Sequence, residues 1–182
     1  LIQEGLDINA KDNKGRTPLH DACDNYKLRF PLNSAILLVL YGADIDAEDN
    51  NHNDHYQDIS NYIMQKHNKY IPYVVKTYQM YRKDGLETLE NDLIDARINE
   101  YHLGIKLVRG AYFHAEKNDG HLFTDKHLTD ESYNNAILTI GENNINTYTI
   151  LATHNIDSVR IGYMYNKHAK HNVFEFGHLM GM

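Results

Sequence analysis

Residues 105–112 read IKLVRGAY, a β-branched and leucine-rich run that carries two cations, followed by two small residues and a tyrosine. Its first half has the length and composition of a strand. Residues 73–78, which read YVVKTY, predict an earlier strand for the same reason. Between the two, residues 85–101 place apolar side chains at nearly helical spacing, with carboxylates early and Gly104 just beyond. A helix of this length between two short strands predicts a βαβ crossover with parallel strands.

The alternation of strands and helices continues toward the C-terminus. Thr129 or Asp130 can cap a helix that leads into a strand at residues 147–152. Asn155 or Asp157 can cap the next helix, which is followed by a strand at 172–176. Four strands alternating with three helices predict an α/β fold, either a barrel or a doubly wound sheet. Four strands are half of the eight that close a (βα)8 barrel.

The N-terminal third has a different pattern. Residues 7–12 (DINAKD) return as residues 44–49 (DIDAED), and GRTPLHDA at 15–22 lies between them. The pattern resembles the ankyrin repeat, whose period is about 33 residues. Thr17 suits a helix cap and Pro18 the first helical position.

The ankyrin-like copies are fewer than two, whereas a stable solenoid needs about three repeats. We therefore expect a remnant of a longer array, with a partner-binding surface as the alternative. The predicted organisation is an all-α ankyrin-like segment at residues 1–71 and an α/β domain at 72–182.

Composition and charge narrow the classes of function. The 182 residues carry a net charge of −7, which argues against nucleic acid or an anionic membrane surface as the main partner. Cys23 is the single cysteine, so no disulfide can form within the chain. His52/His55 and His168/His171 have metal-like spacing but no convincing third ligand, so we expect no metal site. Both ends interrupt a pattern, and we expect them to be cuts.

Chemistry-bearing residues collect where the predicted strands end, which is where α/β barrels place their active sites. Lys106 and Arg109 belong to the second strand, and THN at 153–155 follows the third. A charge in a buried strand is costly unless it has a partner. A lysine followed by an arginine and two small residues is what a flat, anionic ligand would require, since small residues let it approach the backbone.

Four carboxylates lie on the helix between the first two strands. They are Glu87, Glu90, Asp92 and Asp95. We expect them to form the solvated face of that helix, and not an acid–base pair.

Four motifs in order resemble successive signatures of the proline dehydrogenase family. They are TYQMY at 77–81, KLVRGAY at 106–112 with Glu116, ATHN at 152–155, and FEF at 174–176 with LMGM at 179–182. The resemblance runs from about residue 72 to the C-terminus. It implies a partial (βα)8 TIM-type barrel that binds FAD and oxidises L-proline to Δ1-pyrroline-5-carboxylate, with electrons passing to a quinone. Eukaryotic members are mitochondrial, so the resemblance also implies that location.

The resemblance assigns roles to particular residues. Lys106 would lie beside the reactive part of the flavin, where a cation favours the negative charge that builds up as hydride arrives. Tyr112 would pack near the substrate ring. The implied cofactor contacts are Val108, Arg109, Gly110, Ala111, Thr129, Thr153, His154 and Asn155. Lys76 stands where the family often has an amide, and its role is left open.

Several family features have no counterpart in this sequence. These are a lysine and an aspartate on earlier strands, and an arginine pair on the final helix that binds the proline carboxylate. Half a barrel also exposes two strand edges, so we expect a second chain to cover them. One alternative is a non-catalytic interaction protein with a degenerate barrel. Another is that the junction near residues 69–75 joins two unrelated coding segments.

Overall fold

The computed structural model describes residues 7–24, 37–38, 43, 56–110 and 120–178. The chain divides into two compact units, Leu1–Tyr62 and Ile63–Met182. The division falls within helix α2 (Tyr56–His67). The domain boundary expected after residue 71 therefore remains a proposal.

The first unit contains helix α1 (Pro18–Asp24), which begins where the sequence predicts it. Pro18 is the first helical residue, as predicted. The Thr17 backbone N–H donates to His20 Nδ1 at 3.1 Å, and the Thr17 hydroxyl lies 2.9 Å from the same nitrogen. A side chain at the third helical position that accepts from the preceding cap residue is the arrangement of a capping box. Leu19 and Ala43 form a small buried cluster.

The second unit is an alternating α/β structure. Its elements after α2 are β1 (Lys76–Gln79), α3 (Gly85–Ile98), β2 (Leu103–Val108), α4 (Lys126–Glu142), β3 (Thr147–Ala152), α5 (Ile156–His168) and β4 (Phe174–Gly177). The four strands form one sheet in the order β1-β2-β3-β4, and every neighbouring pair is parallel. The predicted α/β alternation and parallel pairing are therefore confirmed.

Two helix starts test the predicted caps. Asn155 is the N-cap of α5, and its Oδ1 accepts from the backbone N–H groups of Asp157 and Ser158 at 3.0 and 3.2 Å. The cap expected at Thr129 or Asp130 is wrong, because α4 begins earlier, at Lys126. Asp125 is its N-cap, with a carboxylate that accepts from the His127 N–H at 2.8 Å.

All three crossover helices lie against the same face of the sheet. Tyr78 on β1 contacts α3 through its hydroxyl, and the Tyr133 hydroxyl of α4 donates to the carbonyl of Leu107 on β2 at 3.3 Å. On α5, a Cβ added at Gly162 would meet the side chain of Leu151 on β3. Helices on one face and strands in sequential order are the wall of a (βα)8 barrel, whereas a doubly wound sheet has helices on both faces. The structure therefore supports the barrel.

One predicted surface residue is buried. Asp92 of α3 faces the sheet and is only 5% exposed. Its Oδ2 accepts from Lys76 Nζ at 2.5 Å and from the Tyr78 hydroxyl at 2.7 Å. The solvated role expected for Asp92 is wrong because the residue occupies the same helix face as the core residues Leu89 and Leu93. Glu87 and Glu90 are exposed, as predicted.

The core between sheet and helices is mainly apolar, with a few buried hydroxyl side chains such as Thr149 and Ser158. Its fully buried side chains include Leu89, Leu103, Ile105, Leu107, Ile137 and Phe174. Within the described ranges, no helix is both long and apolar enough to cross a membrane.

Candidate functional site

The sheet face opposite the helices carries the polar residues of the candidate site. Strand register places Thr77, Lys106, Ile150 and Glu175 in one row across the four strands. The next row toward the carboxyl ends consists of Gln79, Val108, Ala152 and Gly177. Because side chains alternate across a strand, both rows lie on the face that the helices leave uncovered. In a barrel, this face lines the interior.

Lys106 extends from the centre of this face. Its side chain is exposed, although both its neighbours in β2, Ile105 and Leu107, are completely buried on the helix side. The alternation of β2 exposes it, so the ammonium group needs no internal partner. Among the described residues it has no hydrogen bond or ion pair, and it remains available to a ligand.

Gln79 is a candidate site residue to which the sequence analysis gave no role. It ends β1 in the row beyond Lys106, beside Val108. Its Oε1 atom is buried and has no hydrogen-bond partner in the part of the chain that the structure describes. A buried acceptor left unpaired is costly, so its position suits a ligand that brings a donor. Its place directly after the predicted strand at residues 73–78 was the sequence signal that could have identified it.

Arg109 follows β2 and points toward the helices. Its Nε donates to Asp130 Oδ1 at 2.6 Å, and its Nη2 donates to Ser158 Oγ at 2.6 Å. Its Nη1 donates to the Thr153 hydroxyl, and its Cζ lies 4.1 Å from the centre of the Tyr133 ring. One guanidinium thus links the end of β2 with the loop after β3 and the first turns of α4 and α5.

Neighbouring charges and burial set the ionisation states in this network. Burial alone would raise the pKa of Asp130, but hydrogen bonds from Lys126 and Arg109 outweigh it and hold the pKa below its usual value. Burial raises the pKa of Tyr133 strongly, with the nearby Arg109 cation acting weakly in the opposite direction. Tyr133 is therefore a neutral phenol under the cation, and Asp130 is an ionised carboxylate.

The loop after β3 contains an internal hydrogen bond in addition to its bond with Arg109. The Thr153 hydroxyl accepts from the backbone N–H of Asn155 at 3.0 Å, and Asn155 caps α5. Thr153 is buried, whereas His154 is exposed, with its ring centre 5.2 Å from that of His178 beyond β4. The structure thus brings three predicted cofactor residues together at one loop.

The remaining predicted site residues differ in burial, and two of them are not described by the structure. Thr129 is buried in the first turns of α4. Gly110 is exposed, and a Cβ there would clash with the ring of Tyr81, so its small size is required by the protein itself. Ala111 and Tyr112 lie outside the described residues. The cofactor and substrate roles of all the predicted site residues stay predictions.

A separate groove lies elsewhere on the second unit. It has a volume of about 590 Å³ and is lined by Val159, Arg160, Tyr163, Met164, Phe176 and His178. Lys106 and Gln79 do not line it, and we do not assign it to the candidate site. Among the described residues, no three histidine, cysteine or acidic side chains are grouped so as to hold a metal ion.

The fold and site define an α/β barrel protein with a polar interior at the strand ends. Proline dehydrogenase is the family that matches, over residues 40–182, and the chain belongs to this family. The ankyrin repeat matches residues 14–50. The family match therefore begins before residue 72 and includes α2.

Curated relatives match part of the chain at moderate identity. Proline dehydrogenase 1, mitochondrial, of Caenorhabditis elegans is 31% identical over 110 residues, which are 54% of this chain and 18% of that protein. Hydroxyproline dehydrogenase of Xenopus laevis is 33% identical over 126 residues, or 63% of this chain and 27% of that protein. This chain thus spans a minor part of the length of these relatives.

Solved structures of proline utilization A share the fold. The protein from Bdellovibrio bacteriovorus aligns with a TM-score of 0.59 and 22% identity over 70% of this chain and 14% of its own. A Bradyrhizobium japonicum variant aligns with a TM-score of 0.66 and 20% identity over 88% of this chain and 18% of its own. Together with the sequential parallel sheet, these similarities confirm the predicted α/β barrel class.

Proposed function

We propose that this chain supplies central strands of an FAD-dependent barrel that oxidises L-proline to Δ1-pyrroline-5-carboxylate. The observation that carries the proposal is the position of Lys106, which is exposed on the uncovered face of a sheet whose other face is closed by helices. Membership of the proline dehydrogenase family supplies the reaction class. The proposed location is mitochondrial, as in the names of several relatives.

The residues present fit a flavin. The unpaired, buried Gln79 Oε1 suits a donor on a ligand, since the protein leaves that acceptor unsatisfied. Lys106, one row away on the same face, supplies a cation that suits a ring on which negative charge develops. FAD, when bound, supplies a hydride acceptor for the proline carbon next to nitrogen.

The chain's own residues have separable tasks in this proposal. Lys106 stabilises negative charge that develops during hydride transfer, because a preorganised cation costs no reorganisation at that moment. Gln79 orients the ligand through its carbonyl. Thr153 and Asn155 hold polar groups of the cofactor at the end of β3, and Tyr112 packs near the substrate ring.

The complete reaction needs groups beyond those matched in this chain. We propose that the proline carboxylate is bound by arginines from outside the matched region. We also propose that a second chain covers the strand edges and that a quinone accepts the electrons. Activity is therefore proposed for the assembled barrel.

An absorbance spectrum tests the proposal. The purified chain is mixed with FAD, freed of unbound flavin, and then given L-proline without oxygen. A protein-bound flavin band that L-proline bleaches supports the enzyme, and 4-hydroxyproline in a parallel cuvette reports substrate choice. A band that both substrates leave unchanged would show that this chain by itself binds the cofactor without the groups that bind the proline carboxylate. The absence of a band would refute the proposal for this chain.

A second candidate is protein binding through the ankyrin-like segment, favoured by the ankyrin match at residues 14–50 and the well-capped α1. In that case the barrel portion is not catalytic. Thr17→Val removes the hydroxyl contact with His20 and keeps the backbone N–H bond, and it would then weaken partner capture while leaving the flavin spectrum unchanged. The enzyme hypothesis expects flavin binding to depend on Lys106 and Gln79.

A further inference from the structure

Arg109 was expected to contact the cofactor, but its guanidinium is engaged within the protein. Three of its nitrogen atoms donate to Asp130, Thr153 and Ser158, and the group also stacks on Tyr133. A guanidinium has five N–H groups in a rigid plane, so these bonds fix both its position and its orientation. Turning toward a ligand would break several of them together.

We propose that Arg109 is a positioning residue that acts on the cofactor site through the hydroxyl of Thr153. The inference rests on the proposed function, because it assumes that the loop at 153–155 contacts FAD. It assigns Arg109 a different task from direct binding of an anionic group.

The Thr153 hydroxyl shows how such positioning works. Its oxygen accepts one hydrogen bond from Arg109 and a second from the backbone N–H of Asn155. A hydroxyl has two acceptor lone pairs and one O–H donor. With both lone pairs used, the O–H group remains, and the two incoming bonds fix the direction in which it donates. The acceptor we assign to it is an oxygen of the flavin side chain, either a hydroxyl or a phosphate oxygen.

Ser158 anchors the other end of the loop. Its side chain is fully buried, accepts from Arg109 and donates to Asn134 Oδ1 at 2.6 Å. Its backbone N–H donates to Asn155, the cap of α5. Arg109 therefore holds both sides of Asn155, through Thr153 before it and Ser158 after it.

The substitution Arg109→Lys separates the effect of the positive charge from the effect of the guanidinium geometry. A lysine can still pair with Asp130, but its single ammonium group cannot reproduce the planar fork that reaches Thr153 and Ser158 at once. Arg109→Lys therefore keeps the cation and loses the positioning. Arg97→Lys is the matched control, because Arg97 is exposed at the opposite end of the unit, where it donates to Asn143 at 2.8 Å.

The experiment is a double-mutant cycle on FAD affinity in the full chain. Arg109→Lys and Thr153→Val are each expected to weaken FAD binding about tenfold, the scale of one well-placed hydrogen bond. The double variant is expected to bind FAD as tightly as the more affected single variant, because both changes remove the same directed donor. Thr153→Ser, which keeps the hydroxyl, and Arg97→Lys are expected to bind FAD as the parent chain does.

Amide hydrogen exchange supplies a readout that needs no cofactor. Arg109→Lys is expected to speed exchange at residues 153–158 about tenfold while β1 is unchanged, because the loop loses two anchors. Independent, multiplicative losses in the cycle would overturn the proposal, since they mean that Arg109 binds FAD directly. Unchanged exchange at 153–158 would also overturn it. If the parent chain binds no FAD but exchange at 153–158 rises, the proposed function fails and the positioning of the loop stands.

Discussion

Two lysines on neighbouring strands lie on opposite faces of one sheet. Lys76 of β1 points to the helices, has no exposed side-chain surface, and pairs with Asp92 at 2.5 Å. Lys106 of β2 points to the uncovered face and is exposed. Thr77, the residue after Lys76, is the one in register with Lys106. A difference of one register position thus separates a buried, paired lysine from an exposed one, to which we assign a role in the proposed site.

The difference teaches how this sheet distributes charge. On the helix side a buried cation needs an ionic partner, because removing an isolated charge from water costs several kcal/mol. On the interior side water or a ligand solvates the cation, so it needs no structural partner. Changes on the helix side should therefore alter stability, and changes on the interior side should alter ligand chemistry.

Removing the buried cation should have the largest effect. Lys76→Met leaves Asp92 buried without its ammonium partner, and we expect the free energy of unfolding to fall by about 3–5 kcal/mol. Urea unfolding followed by circular dichroism measures the loss. The double variant Lys76→Met/Asp92→Asn is expected to recover most of it, because both charges are then absent. A loss below about 1 kcal/mol in the single variant would show that this pair does not stabilise the helix side.

Removing the exposed cation should leave the fold intact and slow the chemistry. Lys106→Met is expected to change the free energy of unfolding by no more than about 0.5 kcal/mol, as for other exposed positions. Flavin reduction by L-proline in the assembled barrel should slow by roughly 10²–10³-fold, the scale of one lost electrostatic group. Anaerobic stopped-flow absorbance measures the rate, and Lys106→Arg, which keeps the charge, should recover part of it. Equal rates in Lys106→Met and the parent protein would remove Lys106 from the mechanism.

Two glycines extend the comparison to packing. A Cβ at Gly162 would approach the Leu151 methyl group to 2.6 Å on the helix side, whereas at Gly177 it would meet Ile150 on the interior side at 3.3 Å. Gly162→Ala should therefore lower the free energy of unfolding by about 1–3 kcal/mol through overpacking. Gly177→Ala should lie within about 0.5 kcal/mol of the parent chain. Similar midpoints of urea unfolding for the two variants would contradict the difference between the faces.

The smallest expected effect concerns pH at the strand ends. The pKa of Asp130 is lowered in the folded chain from an unperturbed value of 3.8. A lowered carboxylate pKa stabilises the fold above the unfolded value and is lost as pH falls through the folded value. The difference in urea midpoint between the parent chain and Asp130→Asn should therefore be constant above about pH 5 and shrink below 3.8. A difference that grows on acidification would mean that the pKa is raised.

Sequence predicted the framework of the second unit well. Alternation of strand-like and helix-like segments gave the order of elements, and parallel pairing followed because short strands joined by helices permit little else. Asn155, one of the two caps predicted for that helix, is its N-cap, since capping depends on contacts only a few residues apart. The cap at Thr129 or Asp130 was wrong because Asp125 supplies an equivalent local signal one turn earlier.

Only some of the candidate site residues could be predicted from the sequence. Lys106 and the loop at 153–155 were proposed from sequence because motifs at strand ends mark barrel sites, and their roles stay predictions. The burial of Asp92 and the unpaired carbonyl of Gln79 were missed, since each depends on a neighbour distant in the chain. For Arg109, the resemblance implied a cofactor contact, which stays a prediction. Its bonds to Asp130, Thr153 and Ser158 were not foreseen, because those residues are distant in the chain.

The sequence by itself determined which segments become strands and helices, in which order they follow, and which family the chain belongs to. Those properties depend on local propensity, capping and the order of motifs. Only the tertiary structure decided which side of each strand faces the helices, and therefore that Lys76 is buried and Lys106 is free to bind. The physical reason is that side chains alternate with every residue. Register and helix placement, which are set by packing across the whole unit, decide the environment of each charge.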